Sequence, residues 1–530
     1  MGVTEQSSLA AVFRATVARC PDRVALRTVD DSERYTWREY AEEVDRIARG
    51  LAGLGVRRGD TVAMLLTNQP AFHLVDTAAL HLGAACLSIY NTLPPEDIGL
   101  AMRNASAALL VTEMAFLDQA IASGAASTIV LVDGEGPGTI SLRDLDGDLD
   151  VESAWRAVSP EDVAVIIYTS GTTGPPKGVE LTHGAVLGNT QGLDSAIGTI
   201  DGARVISYLP MAHIAERQLS HYRAMAFGME VTCCRNSRDM PAHLLAVRPH
   251  YFFAPPRMLA KFRSAASNPT SDTLERFGLD QVLVALTGSA PVPPDLTQYW
   301  LDAGLPLVEA WGITECGAFG AFGRPGQYRV GTCGTALPGV ELRLADDGEI
   351  LVRSPWLMRG YRGRPDATAE AIDPEGWLHT GDVGSFDEQG HLKIVDRKKE
   401  IIINAAGKNM SPAHIESRVK VAHPLIGEVV VIGNDRPYNV GLIVLDPDAV
   451  KTFQGDLRAT IDAAVEEANT RLARVEQLKR YHLITEPWTP GSDELTPTMK
   501  LKRRAIARKY AAEIEALYSG SLLEQGGRVG

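Results

Sequence analysis

One string constrains this chain more than any other: Tyr168-Thr169-Ser170-Gly171-Thr172-Thr173-Gly174-Pro175-Pro176-Lys177-Gly178. It follows the strand-like run Val163 to Ile167 and precedes a helix expected to start near Thr182. Glycines let a backbone approach a ligand closely, hydroxyl and N–H groups donate to phosphate oxygens, and lysine adds a mobile positive charge. A loop of this composition suits a polyphosphate. It is not a Walker A loop, because GxxxxGK requires glycine directly before the lysine and Pro176 stands there. A P-loop kinase is therefore disfavoured.

The surrounding chain, 530 residues long, exceeds one core and suggests roughly three or four lobes. Through its first two-thirds, β-branched runs at Asp60 to Leu66, Ala108 to Thr112, Thr128 to Val132 and Val163 to Tyr168 alternate with Ala/Leu/Arg-rich helical stretches. Such alternation predicts a layered α/β domain. From about Gly331 to Val395 short strands and turns, among them Ala345-Asp346-Asp347-Gly348 and Asp387-Glu388-Gln389-Gly390, predict a small β-rich subdomain. Further on, Ser411-Pro412 should open a helix, serine capping it and proline filling the first position. A boundary near Lys399 is expected to divide an N-terminal domain, residues 1–398 with the β-rich part at about 331–395, from a smaller α+β lobe, 399–530.

Lys plus Arg total 52 against 66 Asp plus Glu, a formal net charge of -14, which argues against a general nucleic-acid binder. Six cysteines show no CxxC and no Cys/His zinc spacing, so reduced thiols and a cytoplasmic location are expected. The first ten residues read as no secretion signal, and no apolar run approaches the roughly 20 residues that span a bilayer. Peripheral membrane contact stays open, and the oligomeric state is not legible.

Four further strings follow the loop: Ala310-Trp311-Gly312-Ile313-Thr314-Glu315, Gly376-Trp377-Leu378-His379-Thr380-Gly381-Asp382, Asp396-Arg397-Lys398-Lys399-Glu400, and Leu495-Thr496-Pro497-Thr498-Met499-Lys500-Leu501-Lys502-Arg503-Arg504. Together, in this order and over most of the chain, they resemble the signatures of the AMP-forming adenylate enzymes. That superfamily holds acyl-CoA synthetases, nonribosomal peptide adenylation domains and firefly luciferase. The last string is similar to the end of long-chain fatty acyl-CoA synthetases. The resemblance implies that a carboxylate is joined to the α-phosphate of ATP, that pyrophosphate leaves, and that the acyl group passes to coenzyme A.

It also implies roles. Thr169, Ser170, Gly171, Thr172, Thr173, Gly174 and Lys177 would hold the β- and γ-phosphates, while Thr169 and Glu315 would hold magnesium, a hard cation suited to oxygen ligands. Trp311, at a position where most relatives carry tyrosine, would lie against adenine with Gly288, Ser289 and Ala290 as the other wall. Glu309, Ala310, Gly312 and Thr314 would adjoin the nucleotide. Asp382 would accept hydrogen bonds from the ribose, Arg397 would donate to that sugar or a phosphate, and Ile394 would lie beside them. Lys500 would bridge the carboxylate and the α-phosphate. The lobe would then turn about Lys399, withdrawing Lys500 and bringing in the loop of Gly407 and Lys408 to line a pantetheine tunnel.

Ser207-Tyr208-Leu209-Pro210-Met211-Ala212-His213-Ile214-Ala215-Glu216-Arg217 resembles the acyl gate of long-chain and bubblegum-type fatty acyl-CoA synthetases and would place His213 beside the carboxylate. Amino-acid-activating relatives carry an aspartate shortly after this gate, and none follows here until Asp239. An acid without an α-amino group is favoured. The expected reaction is synthesis of acyl-CoA from a long-chain fatty or similarly bulky acid. The alternatives are an acyl-AMP ligase that loads a carrier-protein thiol and a nucleotide-binding scaffold without chemistry. The basic residues Lys502, Arg503, Arg504, Arg508 and Lys509 read first as a solvated helix face, with acidic lipid or coenzyme A phosphates as minority readings.

Overall fold

The computed structural model describes residues 7–169, 176–266, 268–496, 500–519 and 527–528. Strand Thr61–Leu65 is buried along its whole length, as an apolar run covered on both faces must be. It pairs in parallel with Ala85–Ser88 and with Leu109–Thr112. Around this centre an eight-stranded sheet extends, taking in Thr128–Leu131 on one side and Val163–Thr169 on the other. The strands expected from the β-branched runs are all present.

The sequence reading runs the phosphate loop directly into a helix, and the structure places another strand between them. Lys177–Thr182 lies antiparallel to Val163–Thr169, with Thr169 opposite Lys177. Val179 and Leu181 are fully buried whereas Lys177, Glu180 and Thr182 are partly exposed. This alternation spans only a few residues, which is why it merges with the loop in the sequence. Helix His183–Ile197 follows, with the Thr182 hydroxyl accepting from the Ala185 N–H as its cap.

A second sheet carries Tyr251–Phe253, Val284–Thr287 and Leu307–Trp311 in parallel and continues antiparallel through Ala321–Phe322 to Thr335–Ala336. The expected β-rich part is an antiparallel sheet of Glu341–Leu344, Glu349–Arg353, Leu378–Phe386 and Leu392–Arg397. Gly348, at φ +82°, closes the turn read at Ala345 to Gly348. Beyond it lies the smaller C-terminal domain. There, strands Ile426–Ile432, Asn439–Leu445 and Leu478–Ile484 are packed with helices Pro412–Ala422 and Leu457–Thr470 over Ile415, Val419, Ile443, Ile461 and Val465. Ser411 caps the first of these helices at the His414 N–H, and Pro412 sits inside its first turn. Among the described residues, no helix is long and apolar enough to cross a membrane.

The larger domain also buries charge. Arg217 opens a π-helical turn, Arg217–Tyr222, and its guanidinium meets Asp76 at 2.6 Å, both side chains being inaccessible to water. Asp76 also faces His221 at 2.9 Å, and Arg217 donates to Tyr222, Ser88 and the Met211 carbonyl. Burial alone would raise the Asp76 pKa, but Arg217 and His221 outweigh it and hold the carboxyl below the ordinary range. Removing one member of such a pair strands the other. Asp76→Ala is therefore expected to lower the unfolding free energy by about 3–5 kcal/mol in urea titrations at pH 7. A loss under about 1 kcal/mol would mean that Arg217 is solvated without its partner.

Candidate active site

Strand Leu307–Trp311 is buried throughout and ends on an indole whose Nε1–H donates to Asp382 Oδ2 at 2.9 Å. Asp382 stands opposite Arg397 in the antiparallel pair, and the Arg397 Nε meets its other oxygen at 3.1 Å. Three strings far apart in sequence thus converge on one carboxylate. Tryptophan keeps a hydrogen-bond donor at a position where tyrosine would supply a hydroxyl. Each Asp382 oxygen retains a lone pair for a further donor. Arg397 remains 42% exposed, so its charge faces the open side of the site.

Close backbone packing shapes the adjacent wall. A Cβ on Gly288 would stand 2.7 Å from the Ala310 carbonyl oxygen, and one on Gly312 would stand 2.0 Å from that of Ala318. Both positions therefore exclude a side chain. Ser289 adopts φ +66°, and Ser289 and Ala290 are exposed beside the buried Ala310 and Trp311. Thr314 sits in the short turn Thr314–Cys316, and Ile394 lies opposite Gly384, partly buried against the main core. Glu309 accepts from the Tyr328 hydroxyl at 2.5 Å and from Thr297 at 3.3 Å. Burial pushes its pKa up to about 7.

Where strands Val163–Thr169 and Lys177–Thr182 meet, the Thr169 hydroxyl donates to the Lys177 carbonyl at 3.4 Å. Ser170, Gly171, Thr172, Thr173 and Gly174 lie outside the described residues. The Lys177 ammonium sits 4.5 Å from the centre of the Tyr361 ring, and the Tyr361 hydroxyl donates to Glu315 Oε1 at 2.8 Å. Tyr361 thus joins the loop lysine to the carboxylate. The sequence reading did not single it out. Its place follows from strand Gly360–Tyr361 pairing with Lys177–Thr182, a contact that no local pattern reveals.

His213 caps the short helix Ile214–Glu216, its Nδ1 accepting the Ala215 N–H at 3.2 Å. With Nδ1 as acceptor, the neutral ring carries its proton on Nε2. Burial, and after it the Lys500 charge, pushes the His213 pKa down to about 4. The backbone N–H of Lys500 donates to the Thr496 hydroxyl at 2.9 Å. Its side chain reaches water at the mouth of the cleft, yet protein surrounds it closely enough that desolvation lowers its pKa. Arg397 lowers it further, while Asp382, Glu315 and Glu400 pull the other way. Lys500, Arg397, Asp382, Glu315 and His213 therefore share one electrostatic neighbourhood.

Other residues are placed elsewhere. Gly407, at φ +73°, and Lys408 belong to an exposed hairpin loop whose amides at Ala406 and Lys408 donate to Asn404. Within the basic run, Arg503 is clamped by Glu416 at 2.5 Å and Glu400 at 3.2 Å, Lys502 donates to the Ser492 carbonyl, and Lys509 pairs with Glu494. Arg504 and Arg508 stay exposed. All six cysteines are buried and unpaired.

Residues 13–362 match the AMP-binding enzyme family and residues 399–521 match the AMP-binding enzyme C-terminal domain. The chain belongs to this family. Mycobacterium tuberculosis FadD11 is 42% identical over 457 residues, covering 73% of this chain and 80% of its own. The long-chain-fatty-acid–CoA ligase FadD15 of the same species is 30% identical over 98% of each chain. The fold matches that of the anthranilate CoA ligase AuaEII in complex with anthranoyl-AMP, with a TM-score of 0.82 at 21% identity over 98% of this chain and 100% of that one.

A histidine with a depressed pKa resists protonation in the folded state. The stability that His213 contributes is complete above its ordinary pKa of 6.5 and is lost as pH falls towards 4. In NMR titrations the ring should therefore ionise near pH 4, and Lys500→Ala should move that midpoint upward. A midpoint near 6.5 that ignores Lys500→Ala would contradict this arrangement.

Proposed function

We propose that this protein is an acyl-CoA synthetase that activates a long-chain fatty or similarly bulky hydrophobic acid as acyl-AMP and passes the acyl group to coenzyme A. The observation that carries the reading is the meeting of Trp311 and Arg397 on the Asp382 carboxylate, within the field of the Lys500 charge. The similarity to FadD15 supports the substrate class. The unpaired buried cysteines support a reducing, cytoplasmic setting.

Adenylation brings a carboxylate against a triphosphate, and their mutual repulsion is the main barrier. Preorganised donors lower it, each being worth roughly 10²- to 10³-fold in rate. In this reading Lys177 and the loop bind the outer phosphates, Asp382 and Arg397 orient the ribose, and Trp311 and the Gly288–Ala290 segment enclose adenine. His213, neutral at pH 7, donates from Nε2 to the substrate carboxylate without adding charge. Lys500 holds the carboxylate and the α-phosphate together.

Magnesium fits the donors present: the Glu315 carboxylate, with Oε1 held by Tyr361, and the Thr169 hydroxyl are hard oxygens. A site of one carboxylate completed by substrate phosphates is usual for this ion. When bound, it would neutralise phosphate charge and favour departure of pyrophosphate.

The test is product analysis. Acid-dependent formation of AMP and pyrophosphate is expected, with thioester appearing on addition of coenzyme A; ADP and phosphate as products would refute the reading. Lys500→Ala should slow acyl-AMP formation by roughly 10²- to 10³-fold while leaving thioester formation from supplied acyl-AMP largely intact. Equal loss of both halves would count against it. A phosphopantetheinyl carrier protein accepting the acyl group in place of coenzyme A would indicate the carrier-loading alternative.

A further inference from the structure

Several charged groups link the two domains. Asp295, in the first turn of helix Pro294–Asp302, takes Arg263 of its own domain at 3.2 Å on Oδ2. Arg471 of the C-terminal domain reaches the same oxygen at 2.8 Å, and Arg418 of that domain takes Oδ1. Nearby, the Ser417 hydroxyl donates to the Pro291 carbonyl at 2.9 Å, and Arg257 pairs with Asp446 and lies 3.7 Å from Glu428. Burial would raise the Asp295 pKa, but the Arg263 hydrogen bond and the fields of Arg418 and Arg471 hold it below the ordinary carboxylate range.

A continuous mechanical path joins this contact to the cleft. Arg418 sits on helix Pro412–Ala422, which also carries Glu416. Glu416 holds both Nη atoms of Arg503, at 2.5 and 2.6 Å, and Arg503 follows Lys500 by three residues. At its other end, Asp295 and Pro291 continue the Gly288–Ala290 wall of the site. We propose that Asp295 is a positioning residue for acyl-AMP formation: by docking Arg418 and Arg471 it holds the C-terminal domain, and with it Lys500, over the cleft. This rests on the adenylation reading above.

An isolated exposed ion pair contributes little, but Asp295 is the shared anion among three cations. Without its charge, Arg263, Arg418 and Arg471 face one another and the contact becomes repulsive. Rotation about Lys399 would carry Arg418 and Arg471 away, so the contact favours one arrangement, and only such a differential contact can shift the balance between two states.

Asp295→Asn, with Asp295→Glu as the charge-preserving control, tests this in two ways. Pyrophosphate exchange should fall by roughly tenfold in Asp295→Asn, while thioester formation from supplied acyl-AMP is unchanged or faster, and Asp295→Glu should recover most of the exchange. Trypsin should cut after Lys399 faster in ligand-free Asp295→Asn than in the native protein. Equal slowing of both half-reactions, or exchange at the native rate, overturns the proposal. Should the native protein catalyse no acid-dependent exchange, the adenylation reading fails and the trypsin arm still reports on docking: unchanged cleavage overturns it.

Discussion

The account turns on the repulsion between two anions that must be brought into contact. A chain with a formal net charge of -14 can do this only by concentrating cations locally. Here the cations come from both domains. Arg397 and Lys177 are fixed on strands of the larger domain, whereas Lys500 belongs to the smaller one. Desolvation and Arg397 both weaken the hold of Lys500 on its proton, and Asp382, Glu315 and Glu400 restore part of it. The site is balanced rather than simply positive, and its balance depends on where the C-terminal domain sits.

That dependence gives the interface its meaning. Asp295, Arg418, Arg471 and Arg257 contribute charged contacts to this interface, beside the packing of Val421 on an apolar cluster of the larger domain. Within the C-terminal domain, Arg503 is gripped by Glu400 and Glu416, so Lys500 and helix Pro412–Ala422 are tied to each other, while Asp396 of the larger domain accepts from the Ser411 hydroxyl and the Ala413 amide across the boundary. A domain tied together inside and joined to its neighbour through a single chain segment suits a rigid-body motion.

Much of this was legible in the sequence, for identifiable reasons. The central strands are continuous apolar runs, and Thr182, Ser411 and Pro412 mark helix starts by capping chemistry that is local. The strings holding Trp311, Glu315, Asp382, Arg397 and Lys500 could be read because they resemble the family's signatures, and the fold brings Trp311, Asp382 and Arg397 into contact. What escaped depends on distant pairing. Tyr361 looks like any half-buried tyrosine until its strand joins that of Lys177, and strand Lys177–Thr182 itself is too short to stand out beside the loop. Asp295 is an ordinary first-turn acid until arginines about 120 and 175 residues away meet it. The partners of Glu309, Tyr328 and Thr297, lie outside its own string and come to it only in the fold.

The most direct measurement is a crystal structure with a non-hydrolysable acyl-adenylate analogue bound in the arrangement described here. The account predicts the Lys500 ammonium within hydrogen-bonding distance, about 2.7–3.2 Å, of an oxygen on the acyl–phosphate linkage. An analogue seated against Trp311 and Asp382 with that ammonium turned out to solvent would contradict it.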